Sequence, residues 1–377
     1  MAVTTRQLTR ATLDRQLLLG RTRLPVDEAV RRTVALQAQE PVSPYLALWN
    51  RLAAFVPADL TAAFTEGRVI KAPLMRITLQ AVHRDDYPAF RHAMAPSLRA
   101  SRLSDRRFRA LGLTPADADA LIPDLLAFTA EPRSNADLDS WARDRLGELP
   151  PPGVWWALRT YGPFVHAPAG TTWTFGPRPA YAAGPVADSV DPPDRSIEHL
   201  IRRYLAGFGP ACVVDIAQFT LLKRSVVRAA LAAMAGTLRD RPGPDGVALL
   251  DLPDLDVPDP DTPAPARLLG MWDNMLLAHA DRSRHIPPHY RSHVIRRNGD
   301  VLPTLLVDGQ VAGVWRATES GIEAGAFEPL ADEKWAELDR EAGALTTFLA
   351  DRDPLIYRRF GHWWAKGLPI VQSRALG

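Results

Sequence analysis

The sequence predicts an α+β chain: three tandem winged helix-turn-helix units followed by a β-rich C-terminal part. Two observations carry that expectation. A plan of short apolar-faced helices followed by a strand pair recurs three times before residue 260, which is a repeat of pattern rather than of residue identity. Beyond it, Asp308-Gly309 sits between two β-forming runs, the strongest short hairpin signal in the chain. A length of 377 residues also exceeds one ordinary hydrophobic core, so several units are required.

The first unit is expected over residues 1–84. Residues 4–20 read as a helix, with Thr5 able to cap it and Leu8, Leu13, Leu17 and Leu18 as apolar positions. Pro25-Val26-Asp27-Glu28 opens a second helix. Pro44 to Phe55 and Pro57 to Phe64 give two more, and Val69-Ile70 and Met75 to Val82 read as strands. A helical bridge over 85–130 follows. The second unit, 131–190, begins at Ser134-Asn135-Ala136-Asp137, a good helix start. Trp155 to Thr160 is its next helix, and Phe164-Val165-His166 with Thr172 to Phe175 form a predicted hairpin across Pro168-Ala169-Gly170. The third unit, 191–260, has helices over Ile197–Phe208, Cys212–Phe219 and Ser225–Leu238, then a strand at Val247–Leu250. The last part, 261–377, holds the Asp308-Gly309 hairpin, a helix over 331–351, and an aromatic stretch from Ile356 to Trp364 that closes it.

Composition narrows the function classes. Hydrophobic residues make up 46%, enough for packed cores. Formal net charge is +2, so a nucleic-acid surface has to come from local clustering. Only four of the 45 basic residues are lysine: Lys71, Lys223, Lys334 and Lys366. Arginine forks suit phosphate, although Ala, Arg and Pro richness also marks a GC-rich genome. One cysteine, Cys212, excludes an intrachain disulfide and points to a reducing compartment. No apolar signal core opens the chain, and no stretch of 18 apolar residues occurs. A soluble cytoplasmic protein with no membrane partner is expected.

Two metal-like patterns read as other things. The acidic run from Pro253 to Asp261 is interrupted by prolines that hinder its carboxylates from converging. His285, His289 and His293 have helical spacing, but Pro287-Pro288 cuts any helix there. No metal and no cofactor are expected.

The stretch that stands out is Val34-Ala35-Leu36-Gln37-Ala38-Gln39-Glu40-Pro41. Two glutamines flank one small apolar residue at the expected end of the second helix. Two positions on a helix are about 200° apart, so Gln37 and Gln39 converge only where the helix loosens or ends. Pro41 gives a reason for that ending, because it pushes Glu40 from helical ψ. A neutral amide pair offers donors and acceptors without a titrating group. It can hold a water molecule or line the path of a developing cation. The plain alternative is a solvated helix end.

These residues resemble the bacterial winged-helix DNA glycosylases. The resemblance is carried by Ala35 to Pro41, Met75-Arg76-Ile77-Thr78-Leu79, Phe208-Gly209-Pro210-Ala211, Asp273 to Arg282, and Pro303 to Gly309, in family order along nearly the whole chain. Members that prefer simpler monoadducts carry Asp at the second polar position, whereas Gln39 resembles the branch that unhooks interstrand crosslinks of the azinomycin type. The resemblance implies winged-helix units curved around a DNA channel, catalysis by Gln37 and Gln39, and a hairpin at Val307, Asp308, Gly309 and Gln310 that probes the minor groove. Among the arginines clustered nearby, Arg284 and Arg297 are candidates for phosphate contact. The implied partner is double-stranded DNA carrying N7-alkylguanine or a crosslink, bound by a monomer. With no lysine near the motif in sequence, the expected enzyme is monofunctional and leaves an abasic site. Two rival readings stay open: a non-catalytic winged-helix transcription regulator, and a resistance protein that binds a drug through Trp155, Trp156 and Trp173.

Overall fold

The computed structural model describes residues 2–185 and 192–377. Helix α1 (Thr5–Arg15) is capped by Thr4, one residue earlier than expected, through a reciprocal bond with Gln7. Its buried face carries Arg10 and Arg15 as well as Leu8, Ala11 and Leu13. Arg15 forks onto Asp251 at 2.7 and 2.9 Å, and Arg10 pairs with Asp308. The first helix therefore ties together segments more than 200 residues away.

Helix α2 (Val26–Arg32) ends well before the glutamines. Thr33 returns its hydroxyl to Ala29 O, and Val34 takes φ 73°. The chain turns there and enters strand β1 (Leu36–Gln37). Helices α3 (Ser43–Arg51) and α4 (Pro57–Thr65) precede β2 (Val69–Pro73) and β3 (Leu79–His83). Between those two strands, Met75–Ile77 is a single 3-10 turn rather than strand. The sheet order is β1-β3-β2, all antiparallel.

The bridge is helical as expected: α5 (Tyr87–Leu103), α6 (Arg106–Arg109) and α7 (Pro115–Phe128). In the second unit, β4 (Arg133–Ser134) leads into α8 (Asn135–Leu146), which Ser134 and Asp137 cap reciprocally. Helix α9 (Trp155–Tyr161) follows. Strand β5 (Phe164–Ala167) pairs with β6 (Ala180–Ala183), not with Thr172–Phe175 as expected. Thr174 has φ 63°, which breaks the strand alternation, and Pro177 and Pro179 remove ladder donors just beyond. The aromatics instead enter the core of the first unit. Trp173 lies 5.2 Å from the Tyr45 ring, and Phe175 4.9 Å from Phe64. The expected boundary at 190/191 falls outside the described residues.

The third unit holds α10 (Pro193–Phe208), α11 (Val213–Thr220) and α12 (Arg224–Ala233). Its wing is a hairpin of β7 (Arg239–Pro242) and β8 (Ala248–Asp251). In the C-terminal part, β9 (Arg267–Leu269) leads through several 3-10 turns to α13 (Arg291–Val294), β10 (Thr304–Val307), β11 (Gln310–Thr318) and β12 (Gly321–Ala326). Helix α14 (Asp332–Ala350) packs on this sheet, and β13 (Gln372–Leu376) completes it in the antiparallel order β13-β12-β11-β10-β9. The stretch from Arg358 to Ala365 is a 3-10 segment. No helix among the described residues is long and apolar enough to cross a membrane.

Trp173 is where the second unit is sewn into the first. Trp173→Ala is expected to destabilise the protein by about 3–5 kcal/mol, read as a lower urea midpoint of the first unit's tryptophan signal. A change below about 1 kcal/mol would mean the insertion is decorative.

Candidate active site

The glutamine motif lies on a strand end, not a helix end. The helical 200° spacing therefore does not apply: β1 ends at Gln37, and Gln39 lies in the bend that follows it. Leu36 pairs with Ala81 and Gln37 with Gln80, and Ala38 N donates to Leu79 O at 2.8 Å. Gln37 is buried, at 3% exposure, while Gln39 stands in solvent with no hydrogen bond among the described residues. The fold thus presents one fixed amide and one free amide.

Gln37 is fixed by a closed polar network. Its Oε1 accepts from Gln80 Nε2 at 2.7 Å and from Arg76 Nη2 at 3.1 Å, with the Thr78 hydroxyl at 3.4 Å. Arg76 Nη2 also donates to Asn274 Oδ1 at 2.8 Å. Asn274 Nδ2 donates to Ala35 O at 2.8 Å and to Gln80 Oε1 at 3.0 Å. Asn274 is held from the other side by its neighbour. Asp273 accepts from Met275 N and receives both arms of Arg51, at 2.9 and 2.8 Å, in a buried ion pair. A cavity of about 10 Å³, room for roughly one water, lies among Gln37, Ser43, Arg51, Asp273 and Asn274.

Arg76 is held at a backbone cost. It and Ile77 both have positive φ, 56° and 57°, a conformation that costs of order 1 kcal/mol or more per non-glycine residue. Its guanidinium lies 5.1 Å over the Phe219 ring, and among the described residues it has no carboxylate partner and leaves Nη1 buried and unpaired. Burial, with the nearby Arg282 charge, pushes its pKa down to about 9, so it stays cationic at neutral pH.

Two ionisable groups sit near the motif without joining this network. Glu40 is paired with Arg359 from the 3-10 segment. Burial raises its pKa, and Arg359 opposes that rise. Lys71 is a buried amine 4.2 Å over Phe175. Burial lowers its pKa to about 8. Sequence proximity gave no sign of it, but β2 brings it into the same sheet. It pairs with Ala81, which pairs with Leu36, so it occupies the face opposite Gln37 and Gln80.

The other candidate residues divide. The Asp308-Gly309 turn forms as expected, with φ 51° and 81°, yet it faces protein. Arg6 and Arg10 hold the Asp308 carboxylate. His285 Nδ1 lies 3.1 Å from Gly309 O, and Gln310 donates to Arg284 O at 2.8 Å. A Cβ at Gly309 would come within 2.7 Å of Thr9. Val307 is half-buried, packed against a core that the first unit shares with the C-terminal sheet. The turn is braced against α1 and keeps the Asp308 side chain 43% exposed. Arg284 is buried and donates to Pro210 O at 3.2 Å. Arg297 is exposed. The three histidines do not converge: His285 is buried, with a pKa that burial lowers to about 3, and His289 is exposed near Glu328. Among the described residues no cluster of three or more His, Cys, Asp or Glu side chains could hold a metal. Trp155 and Trp156 are buried in the second unit's core and Trp173 in the first unit's, so the three form no common drug site.

The family model described as DNA glycosylase AlkZ-like matches residues 30–348. The chain belongs to the AlkZ-like DNA glycosylases. The interstrand DNA cross-link repair glycosylase of Streptomyces sahachiroi is 26% identical over 347 residues, covering 87% of this chain and 91% of that protein. The solved structure of the Streptomyces sahachiroi DNA glycosylase AlkZ superposes with a TM-score of 0.77 at 22% identity, covering 92% of this chain and 96% of that one. The α+β fold is therefore that of AlkZ, and the protein is a DNA glycosylase rather than a regulator without catalytic function. In this AlkZ-like enzyme Arg76, Thr78, Gln80 and Asn274 surround Gln37, and none was singled out by role from sequence. The signal was there: Thr78 and Gln80 place polar residues at a period of two in an apolar strand.

The buried Arg51–Asp273 pair carries the Asn274 turn. Asp273→Ala leaves an uncompensated buried guanidinium and is expected to destabilise the enzyme by about 3–5 kcal/mol, measured by thermal unfolding. An unchanged midpoint would remove the pair from the account.

Proposed function

We propose that this glycosylase hydrolyses the N-glycosidic bond of N7-alkylguanine in double-stranded DNA, with Gln37 and Gln39 as its catalytic residues. We propose further that it unhooks interstrand crosslinks made through that atom, including the azinomycin type. The observation that supports this reading is the chemistry of the site. Among the described residues no carboxylate or imidazole hydrogen-bonds to Gln37, Gln80, Asn274 or Arg76. A site without a general acid suits a leaving group that needs none. N7 alkylation places a positive charge in the guanine ring, and departure of the base neutralises it.

What remains is to guide one water to C1′ while the sugar acquires oxocarbenium character. The O–C1′ bond forms as C1′–N9 breaks. The C1′–N9 electron pair passes to the ring, and the water proton leaves to solvent. Holding that water is positioning and fixed-dipole electrostatics, worth about 10²–10³-fold per group. No cofactor enters this chemistry. A crosslink joins both strands through the major groove, so swinging its base into a pocket, as ordinary flipping requires, would drag the opposite strand. Approach from the minor groove avoids that cost. The crosslink-repair description of the Streptomyces sahachiroi relative favours the same substrate class. The enzyme is proposed to be monofunctional, because Lys71, the amine nearest the motif in the sheet, faces away from Gln37.

Product analysis on a duplex with one defined N7-guanine crosslink tests this. The wild type should release the bridge and leave an abasic site in an intact strand. Gln37→Ala and Gln39→Ala should each slow unhooking by about 10²–10³-fold; wild-type rates in both would overturn the catalytic assignment. Strand scission without heat or alkali, with borohydride trapping at Lys71, would overturn the monofunctional one. Arg297→Ala should weaken DNA binding evenly across sequences and lower the salt slope by about 1, in a fluorescence anisotropy titration at several salt concentrations.

A further inference from the structure

We propose that Arg76 assigns opposite polarities to the two glutamines: Gln37 presents its amide NH₂ to the nucleophilic water as a donor, and Gln39 presents its carbonyl as the acceptor. The inference rests on the reading of both as catalytic and deepens it. A side-chain amide can turn either end toward a partner, and an isolated pair would leave the choice open. Here both ends of the network are anchored by groups with no choice. A guanidinium only donates, so the oxygens of Gln37 and Asn274 must be what face Arg76 Nη2, at 3.1 and 2.8 Å. A main-chain carbonyl only accepts, so Asn274 Nδ2 must be what faces Ala35 O at 2.8 Å. Asn274 Nδ2 also reaches Gln80 Oε1 at 3.0 Å, which turns Gln80 Nε2 toward Gln37 Oε1 at 2.7 Å. The second Gln80 proton goes to Thr78 Oγ1 at 2.7 Å. Every amide in the chain is oriented by its neighbours.

The consequence falls on Gln37. Two donors occupy both lone pairs of its carbonyl, so that oxygen cannot also accept from a water. Its hydrogen bonds among the described residues all fall on Oε1, so Nε2 is the end left to act. A water held between Gln37 and Gln39 then accepts one N–H from Gln37 into a lone pair and donates one O–H to Gln39. Its second lone pair is left for C1′. Two accepting carbonyls would also orient the water, but the Gln37 oxygen is already taken by Gln80 and Arg76, so opposite polarities are the arrangement the network leaves. Arg76, Gln80 and Asn274 are positioning residues in this scheme. The strained backbone at Arg76 and Ile77 is the device that aims the guanidinium at Gln37.

Single-turnover excision from a duplex carrying one N7-methyldeoxyguanosine separates the roles. Gln39→Glu keeps an acceptor, whereas Gln37→Glu keeps the Arg76 contact, now as an ion pair, and loses the donor. Gln37→Glu should therefore excise at least about 50-fold more slowly than Gln39→Glu. Arg76→Met should lower the limiting rate with little change in half-saturation, and Arg76→Lys should recover part of it. In the Gln37→Ala background, Arg76→Met should cost nothing further, because a positioning residue has no amide left to position. Equal losses in Gln37→Glu and Gln39→Glu, or additive losses in the double variant, would overturn the assignment. If Arg76→Met does not fold, the comparison of the two glutamate variants still decides. Wild-type rates in Gln37→Ala would instead sink the catalytic reading beneath it.

Discussion

A guanidinium can give hydrogen bonds and cannot take them. That asymmetry, applied at Arg76, is the constraint on which the site depends. It fixes the Gln37 carbonyl, and through Asn274 and Gln80 it fixes the neighbouring amides. Among the described residues the cation has no carboxylate to neutralise it, and it sits over an aromatic ring. Its charge is used for orientation rather than for ion pairing. A cation beside a substrate that is itself cationic is tolerable on DNA, where each nucleotide brings a phosphate charge.

The architecture exists to bring that network together from distant segments. Gln37 comes from β1, Gln80 from β3, Arg76 from the turn between β2 and β3, and Asn274 from the C-terminal part nearly 200 residues later. Polar pairs hold those segments in register: Arg51 with Asp273 beneath Asn274 and Arg15 with Asp251, both buried, and Arg10 with the half-exposed Asp308. Such pairs are weak sources of stability and strong sources of specificity of arrangement, which suits a site built from parts of separate units. The insertion of Trp173 and Phe175 into the first unit adds an apolar version of the same link.

Much of the fold was legible because it is local. Capping at Ser134 and the Asp308-Gly309 turn are both short-range chemistry, and each forms where its residues demand. The misses are non-local. The helix carrying the glutamines was extended too far because apolar residues 34–36 continue its pattern; the positive φ at Val34 ends it, and nothing adjacent in sequence announces that. Trp173 and Phe175 alternate like a strand, but a neighbouring core buries them more completely than a hairpin would. The glutamines were found by their isolation among apolar residues. Arg76 and Asn274 were in view as parts of family-like stretches, yet their joint grip on Gln37 depends on a contact across nearly 200 positions. Arg284 stood out by charge alone, and its burial depends on a contact with Pro210 that its neighbours in sequence do not announce.

The central claim is that hydrolysis here uses no titrating side chain. The pH dependence of single-turnover excision of N7-methylguanine at saturating enzyme tests it most directly. The account predicts a flat profile from about pH 5.5 to 8, since neither glutamine ionises in water. A bell, or an acid limb of unit slope, would reveal a general acid or base and contradict it. A rise centred near 8 would point to the Lys71 amine, whose pKa burial lowers to about 8.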